Sequence, residues 1–306
     1  MKGFWLLVCC MVWTAASAQP LPQVSSGSIE RLDPIESELI PSRPVDVWLP
    51  DGYPAAAPYA VLYMHDGQML FDPAHTWNGQ EWRADEVAAE LIRGGKTRPF
   101  IIVGVWNIPS MRHSELYPER AFERLSAAKQ AELYRIDRGN ELLFGRPVDS
   151  DDYLRFLVSE LKPRIDARYA VDGSAASTVV MGSSMGGLIS LYAISEYPEI
   201  FGAAACLSTH WVGTLVGNDA EVQQAFFDYF DAQLPTPARH RIYFDYGDQT
   251  LDAWYPPLQQ RADALMRRHG YDRSNWLTLY YPGTDHSENS WSARLQVPMQ
   301  FLLPPR

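Results

Sequence analysis

The sequence predicts an α/β fold: a mainly parallel central sheet with helices on both faces. Three observations lead there. Short apolar runs rich in β-branched residues alternate with amphipathic stretches at helical spacing. Most of those runs are apolar at consecutive positions, as strands buried on both faces of a parallel sheet are. A hydrophobic fraction of 46% over 306 residues supplies a sizeable core, and open sheets of this size form as one unit.

The elements follow in order. Residues 19–34 are small and polar at first (Pro22, Ser25, Ser26, Gly27, Ser28) and read as a flexible leader, with the domain itself spanning 35–306. Val45-Asp46-Val47-Trp48-Leu49 alternates at period two, and Ala60 to Met64 and Phe100 to Trp106 are buried strands. Trp82 to Ile92 is helical, ending at Gly94-Gly95. Residues 119–149 break the rhythm: mixed polar, helical in part, with no strand between, they read as a cap-like insertion over one edge of the sheet. Tyr153 to Ile165 resumes as an amphipathic helix through Leu154, Leu157, Val158, Leu161 and Ile165. Ser177 to Met181 is a strand, Met185 to Tyr197 a helix and Gly202 to Leu207 a strand. Then come a strand at Arg241 to Tyr246, a helix at Trp254 to His269, a strand at Trp276 to Tyr281 and a closing helix at Asn289 to Phe301. Sheets of this kind place their sites at the carboxyl ends of the strands.

A net charge of −11 argues against nucleic acid or an anionic membrane surface as partner. Residues 1–18 read as a secretory signal: Lys2, an apolar stretch from Phe4 to Trp13, and the small-residue cleavage site Ala16-Ser17-Ala18. That stretch is about half the ~20 residues a membrane span requires, so export to the periplasm or beyond is expected, without stable membrane insertion. Cleavage would remove Cys9 and Cys10 and leave Cys206 alone, so no internal disulfide is expected. Cys206 sits in the run Ala203-Ala204-Ala205-Cys206-Leu207 and reads as a small core residue.

The chemistry centres on Gly182-Ser183-Ser184-Met185-Gly186, a G-x-S-x-G string. Its context gives it weight: a strand, Thr178 to Met181, leads in, and a helix, Leu188 to Ala193, leads out. A tight strand-to-helix turn projects the hydroxyl from the sheet, and the helix N-terminus favours a developing oxyanion. Ser184 is therefore the expected nucleophile. It needs a base, and in this arrangement serine, acid and histidine follow in chain order. His210 comes too early, His240 precedes a strand, and His269 ends a helix. His286 alone hangs in a loop after a late strand, Pro282-Gly283-Thr284-Asp285-His286. The acid should follow the strand ending at Tyr246. Asp252 is favoured over Asp248, the other then being a turn or capping aspartate. Two N–H donors must face the oxyanion. One is that of Met185, and the other comes from the loop His65-Asp66-Gly67-Gln68.

Together, Tyr63 to Gln68, Gly182 to Gly187, and Gly283 to His286 followed by Trp291 and Arg294-Leu295 resemble the α/β-hydrolase esterases that include enterochelin esterases, S-formylglutathione hydrolases, feruloyl and acetylxylan esterases and mycolyl transferases. The resemblance covers roughly residues 35–302. It implies the α/β-hydrolase fold, gives Gln68 the second oxyanion N–H, and matches Leu251-Asp252 and Tyr255 to the segment that carries the acid. It also places Asn107, Arg112 and Glu115-Leu116-Tyr117-Pro118 near the pocket. Arg112 would then either bind an anionic or hydroxylated group or pair with Glu115. His210 and Trp211 are substrate contacts or buried packing. The insertion is not a fixed feature of the family.

The expected function is hydrolysis of a carboxylic ester through an acyl-serine, with no cofactor and no metal, since no histidine pair has ligand spacing. The partner is a small-molecule or glycan ester, and a carbohydrate or phenolic ester suits an acidic chain better than an anionic ferric catecholate such as a siderophore ester. Acyl transfer to a sugar or lipid alcohol uses the same chemistry, and a non-catalytic binding protein is the alternative of another class. Nothing in the sequence addresses oligomeric state.

Overall fold

A computed structural model describes residues 19–215 and 219–305; the expected signal segment, residues 1–18, lies outside the described residues. The strands are β1 (Ser28–Arg31), β2 (Val45–Leu49), β3 (Ala60–His65), β4 (Phe100–Val105), β5 (Thr178–Ser183), β6 (Ala203–Leu207), β7 (Arg241–Tyr246) and β8 (Trp276–Tyr280). They form one sheet in the order β1-β2-β4-β3-β5-β6-β7-β8. From β4 through β8 all neighbours are parallel, and β1 and β2 are antiparallel additions at one edge. The expected fold class holds, and each parallel pair needs the helical crossover that the alternating pattern promised.

The helices are α1 (Ala84–Arg93), α2 (Arg112–Glu115), α3 (Glu119–Phe122), α4 (Ala127–Leu133), α5 (Ser150–Arg155), α6 (Lys162–Arg168), α7 (Met185–Glu196), α8 (Ala220–Gln233), α9 (Tyr255–Arg268), α10 (Glu288–Ser292) and α11 (Gln296–Leu302). Two apolar clusters cover the two faces. On one, α1 and α11 pack Ala84, Ala88, Leu91, Met299 and Leu302 against Leu62, Met64 and Ile102. On the other, α5 to α9 pack Leu154, Leu188, Phe226 and Leu258 against Val61, Tyr63 and Val103. Each buried Leu or Phe contributes roughly 1.5–3 kcal/mol of burial free energy.

Five readings of the sequence need correcting. First, the leader is not flexible. β1 pairs with β2 from Ser28↔Leu49 to Arg31↔Asp46. Buried carboxylates hold the preceding turn, through Gln23 N–H to Asp72 (2.9 Å) and Ser25 N–H to Asp85 (2.8 Å). Polar side chains concealed a segment that docks through its backbone. Second, residues 119–149 are more than a cover, for they contribute to the core. α3 packs on α8, Phe122, Leu133 and Phe144 join the central core, and Arg120 bonds Glu196 at the end of α7 (3.1 Å). Third, α8 was missed. Its Val222, Phe226 and Phe230 are spaced at four and face inward, and Asp219 caps it by accepting from Glu221 and Val222 N–H. Fourth, the helix at 150–168 is not regular. Between α5 and α6 it widens into π-helical turns at Phe156–Leu161, just before Pro163, which cannot donate to Ser159. Fifth, the closing helix is two helices. Pro298 cannot donate to the Arg294 carbonyl, so the chain restarts at α11.

The leader's anchor titrates. Burial pushes the Asp85 carboxyl up to about 7, and the neighbouring Glu86 adds to the shift. A proton is then held more tightly in the folded chain than in the unfolded one. This contribution to stability is greatest at low pH and declines as pH rises from about 4 through 7. The melting temperature of the wild type should therefore fall relative to Asp85→Asn between pH 5 and pH 8, by on the order of 2 °C or more. Parallel melting curves at the two pH values test this.

Candidate active site

Parallel strands ending together bring separate loops to one edge, and every expected catalytic side chain stands there. β5 ends in the turn that opens α7. At that turn Ser184 adopts φ 56°, ψ −121°, a conformation costing of order 1–3 kcal/mol in a non-glycine residue. The turn is held because Ser184 N–H donates to Leu207 O (2.9 Å), while Ser184 O accepts from Leu188 and His210 N–H. It also needs bare backbone: a Cβ at Gly182 would meet Gly186 at 2.7 Å, and one at Gly187 would meet Leu207 O at 3.1 Å. The Ser184 side chain does not cap α7, so its hydroxyl is free for other work. The residue retains 9% exposure.

The expected base and acid come from the next loops along the edge. His286 Nδ1 donates to Asp252 Oδ1 at 2.6 Å. Asp252 is fully buried, and its other oxygen accepts from Ser208 Oγ (2.7 Å) and Gly247 N–H (2.7 Å). With Nδ1 committed to the carboxylate, Nε2 is the nitrogen left for proton transfer. The imidazole is wedged between Trp291, 4.9 Å away and nearly perpendicular, and Tyr255, 5.8 Å away. Tyr255 also reaches the nucleophile, because the Ser184 hydroxyl lies beside its phenol, which burial keeps protonated. Ser184 and His286 thus meet at Tyr255, while no hydrogen bond joins them among the described residues. Such bonds tighten when substrate binds.

Asp248, the alternative acid, is a turn aspartate. It accepts from Tyr280 Oη, Gln249 Nε2 and Gly283 N–H (2.8 Å) and makes no contact with His286. Its work is to join the loops after β7 and β8. There, the N–H groups of Asp248 and Gln249 both donate to Thr284 O, and His286 N–H donates to Thr250 Oγ1 (2.9 Å).

The two expected oxyanion donors open helical turns on adjacent strands: Met185 after β5, and Gln68 in the 3₁₀ turn Gly67–Met69 after β3. Opening N–H groups of a helical turn lack intrahelical partners, and neither donates to a backbone carbonyl of another element among the described residues. Asp66 fixes the Gln68 turn. It sits in the left-handed region at φ 58° and accepts from Asn107 Nδ2 (2.6 Å) and from Arg112 Nε and Nη2 (both 2.7 Å). Burial pushes the Asp66 carboxyl up, but Arg112 and Asn107 more than offset this and leave it below the usual range.

These contacts also place the three residues left open. Arg112 pairs with Asp66, not Glu115, which Arg43 takes through two 2.7 Å bonds. Trp211 is buried packing: it stacks on Phe227 and donates to Gln259 (3.0 Å). His210 is buried, and its Nδ1 meets Tyr255 Oη at 2.9 Å; burial and the neighbouring histidines hold its pKa far below the usual value. Cys206 is a buried core residue as expected. The supporting layer was not foreseen: Ser208 accepts from Trp291 Nε1 and Arg294 Nη2 (both 3.0 Å), and Arg294 also reaches Asp245 (2.8 Å). No group of three or more metal-ligating side chains occurs among the described residues.

A family model described as a putative esterase matches residues 37–301. No curated protein sequence matches the chain. Among solved structures, it is similar to an IroE-like serine hydrolase from Shewanella oneidensis, with 20% identity over 90% of this chain and 79% of that one and a TM-score of 0.66. It is also similar to the enterobactin esterase FES from Shigella flexneri (18% identity, 92% of this chain and 60% of that one, TM-score 0.62). A third is a mutant feruloyl esterase module from Clostridium thermocellum, complexed with sinapinate (15% identity, 92% and 89%, TM-score 0.61). At such identities the likeness is one of fold.

Replacing Asp252 by Asn should lower kcat on a small aryl ester by on the order of 10³-fold or more, because the imidazole loses both its fixed tautomer and its counter-charge. Asp248→Asn should stay within about threefold of wild type. Steady-state kinetics of the two variants side by side decide between the acids.

Proposed function

This chain belongs to the putative esterase family, so its reaction is ester hydrolysis, and we propose that it proceeds through an acyl-serine on Ser184. The observation that carries this reading is the 2.6 Å bond from His286 Nδ1 to a buried Asp252, beside a serine held in a strained, uncapped turn. Ser184 Oγ attacks the ester carbonyl carbon while its proton passes to His286 Nε2. Asp252 stabilises the imidazolium, and the N–H groups of Met185 and Gln68 receive the oxyanion. The tetrahedral centre collapses, the bond to the alcohol oxygen breaks, and that oxygen leaves with the proton from Nε2. A water then gives its proton to His286 and attacks the acyl carbon, which releases the acid and restores Ser184.

The substrate class we favour is a carbohydrate- or phenolic-linked ester. The net charge of −11 disfavours a polyanionic ligand, and Arg112, the cation nearest the oxyanion loop, is already neutralised by Asp66. That bears against a ferric catecholate. Residues 35–306 act as one catalytic domain in this reading, and the pattern of residues 1–18 supports export. No helix among the described residues is long and apolar enough to cross a membrane.

Ser184→Ala should cut turnover of p-nitrophenyl acetate by ~10³-fold or more and abolish covalent labelling by a fluorophosphonate, with the melting temperature held. A variant that keeps wild-type turnover would remove Ser184 from the mechanism.

A further inference from the structure

Six large hydrophobic side chains are exposed among the described residues: Leu21, Trp77, Leu142, Leu215, Trp254 and Tyr280. Four of them sit on or after strand ends that lead to the candidate site: Trp77 after β3, Leu215 after β6, Trp254 after β7 and Tyr280 at the end of β8. Trp77 is the extreme, at 83% exposure. Isolated exposed apolar groups need no explanation, but several carried by loops that lead from the strand ends toward a candidate site call for one.

The loop that carries Trp77 is firmly built. Asp72 caps its first turn at Ala74 N–H (2.9 Å), His75 packs edge-on against Trp106, and Asn78 Oδ1 accepts from Gln80 N–H (3.0 Å). Asn78 Nδ2 then donates to Glu288 Oε2 (2.7 Å), and Asn289 N–H donates to Gln80 Oε1 (3.4 Å). Those two contacts fasten the loop to the segment that begins two residues after His286. Trp254 lies between Asp252 and Tyr255 in sequence and is exposed. Both exposed indoles are thus carried by segments bonded or adjacent to those that hold the histidine.

Position assigns the ligand's part. The imidazole returns its proton to the departing alcohol, so the alcohol portion of the ester leaves on the histidine side. The chemistry of the loop narrows it further: a bare indole is carried next to Asn78 and near Gln80 in sequence, and Asn78 bonds Glu288, so polar donors and acceptors share its loop. That mixture suits a ring with one apolar face and a hydroxylated edge better than it suits a lipid chain, and the acidic neighbour disfavours an anion.

We propose that Trp77 is the stacking platform of the leaving-group subsite, and that the alcohol it recognises is a sugar ring. This rests on the esterase reading above. The test compares three esters of one acid: methyl ferulate, phenyl ferulate and a feruloylated methyl xyloside. Wild type should prefer the xyloside in kcat/KM. Trp77→Ala should lose on the order of 10-fold on the xyloside, change by less than about twofold on methyl ferulate, and regain most of the loss as Trp77→Tyr. A wild type without that preference, or an equal loss on methyl ferulate and xyloside, or no loss, overturns the proposal. A loss on phenyl ferulate matching that on the xyloside overturns the sugar assignment. Failure of the wild type to hydrolyse any of the three or p-nitrophenyl acetate would instead remove the esterase reading itself.

Discussion

The site depends on the satisfaction of one buried charge. Asp252 has no access to water, and an unpaired carboxylate there would cost several kcal/mol. Its partners come from three separate places in the fold: His286 from the loop after β8, Gly247 from the end of β7, and Ser208 from the end of β6. Meeting the charge therefore fixes three loops at once. Ser208 can serve only because Trp291 and Arg294 hold its oxygen in turn, and Arg294 is itself neutralised by Asp245. The imidazole's position is thus a consequence of buried electrostatics rather than of the loop that carries it, and Thr250, strained at φ 54°, is held where its hydroxyl meets His286 N–H.

How much of this was legible follows from the range of each interaction. The strands and the Ser184 turn are encoded locally: a β-branched run, then glycines where backbone crosses backbone, then a helix. They read directly from neighbouring residues. The order of serine, acid and histidine along the chain is also local information once the strands are placed. Asp252 and Asp248 are four residues apart in one loop, and only the partners brought by the β8 loop separate them. Arg112 was harder still. Asp66, its partner, is 46 residues away, whereas Glu115 lies on the same helix, so sequence proximity pointed at the wrong carboxylate. The leader failed for a related reason. Its signal is a row of backbone donors matched to β2, Asp72 and Asp85, and side-chain polarity says nothing about that. α8 carries a four-residue apolar spacing at Val222, Phe226 and Phe230, so its signal too is local.

His210 and Trp211 show the limit of positional reasoning. Both follow β6 and so stand at the functional edge, yet a parallel sheet's carboxyl edge has an inner and an outer layer. The inner layer must be dry for the Asp252 charge to hold its imidazole firmly, since electrostatic contacts strengthen as water is excluded. Trp211 and Tyr255 supply that dryness, and His210, kept neutral by burial, shares a hydrogen bond with the Tyr255 hydroxyl without adding charge. Residues in this layer act on the chemistry through its environment, and exposure, not chain position, tells them from those that meet a ligand.

That division explains why the same catalytic frame can serve different esters. The strained serine, the buried aspartate and the two free N–H groups all belong to the sheet and the first turns after it, where a change of volume or charge would unseat several partners together. The loop bearing Trp77 and the segment 119–149 are fastened to the frame through their inner faces, Asn78 to Glu288 and Arg120 to Glu196 among the contacts. Their outward faces can change composition without disturbing Asp252 or Ser184. A change on the rim can therefore alter what meets the solvent while the buried contacts beneath it stay fixed, and the proposed role of Trp77 belongs to that outer layer.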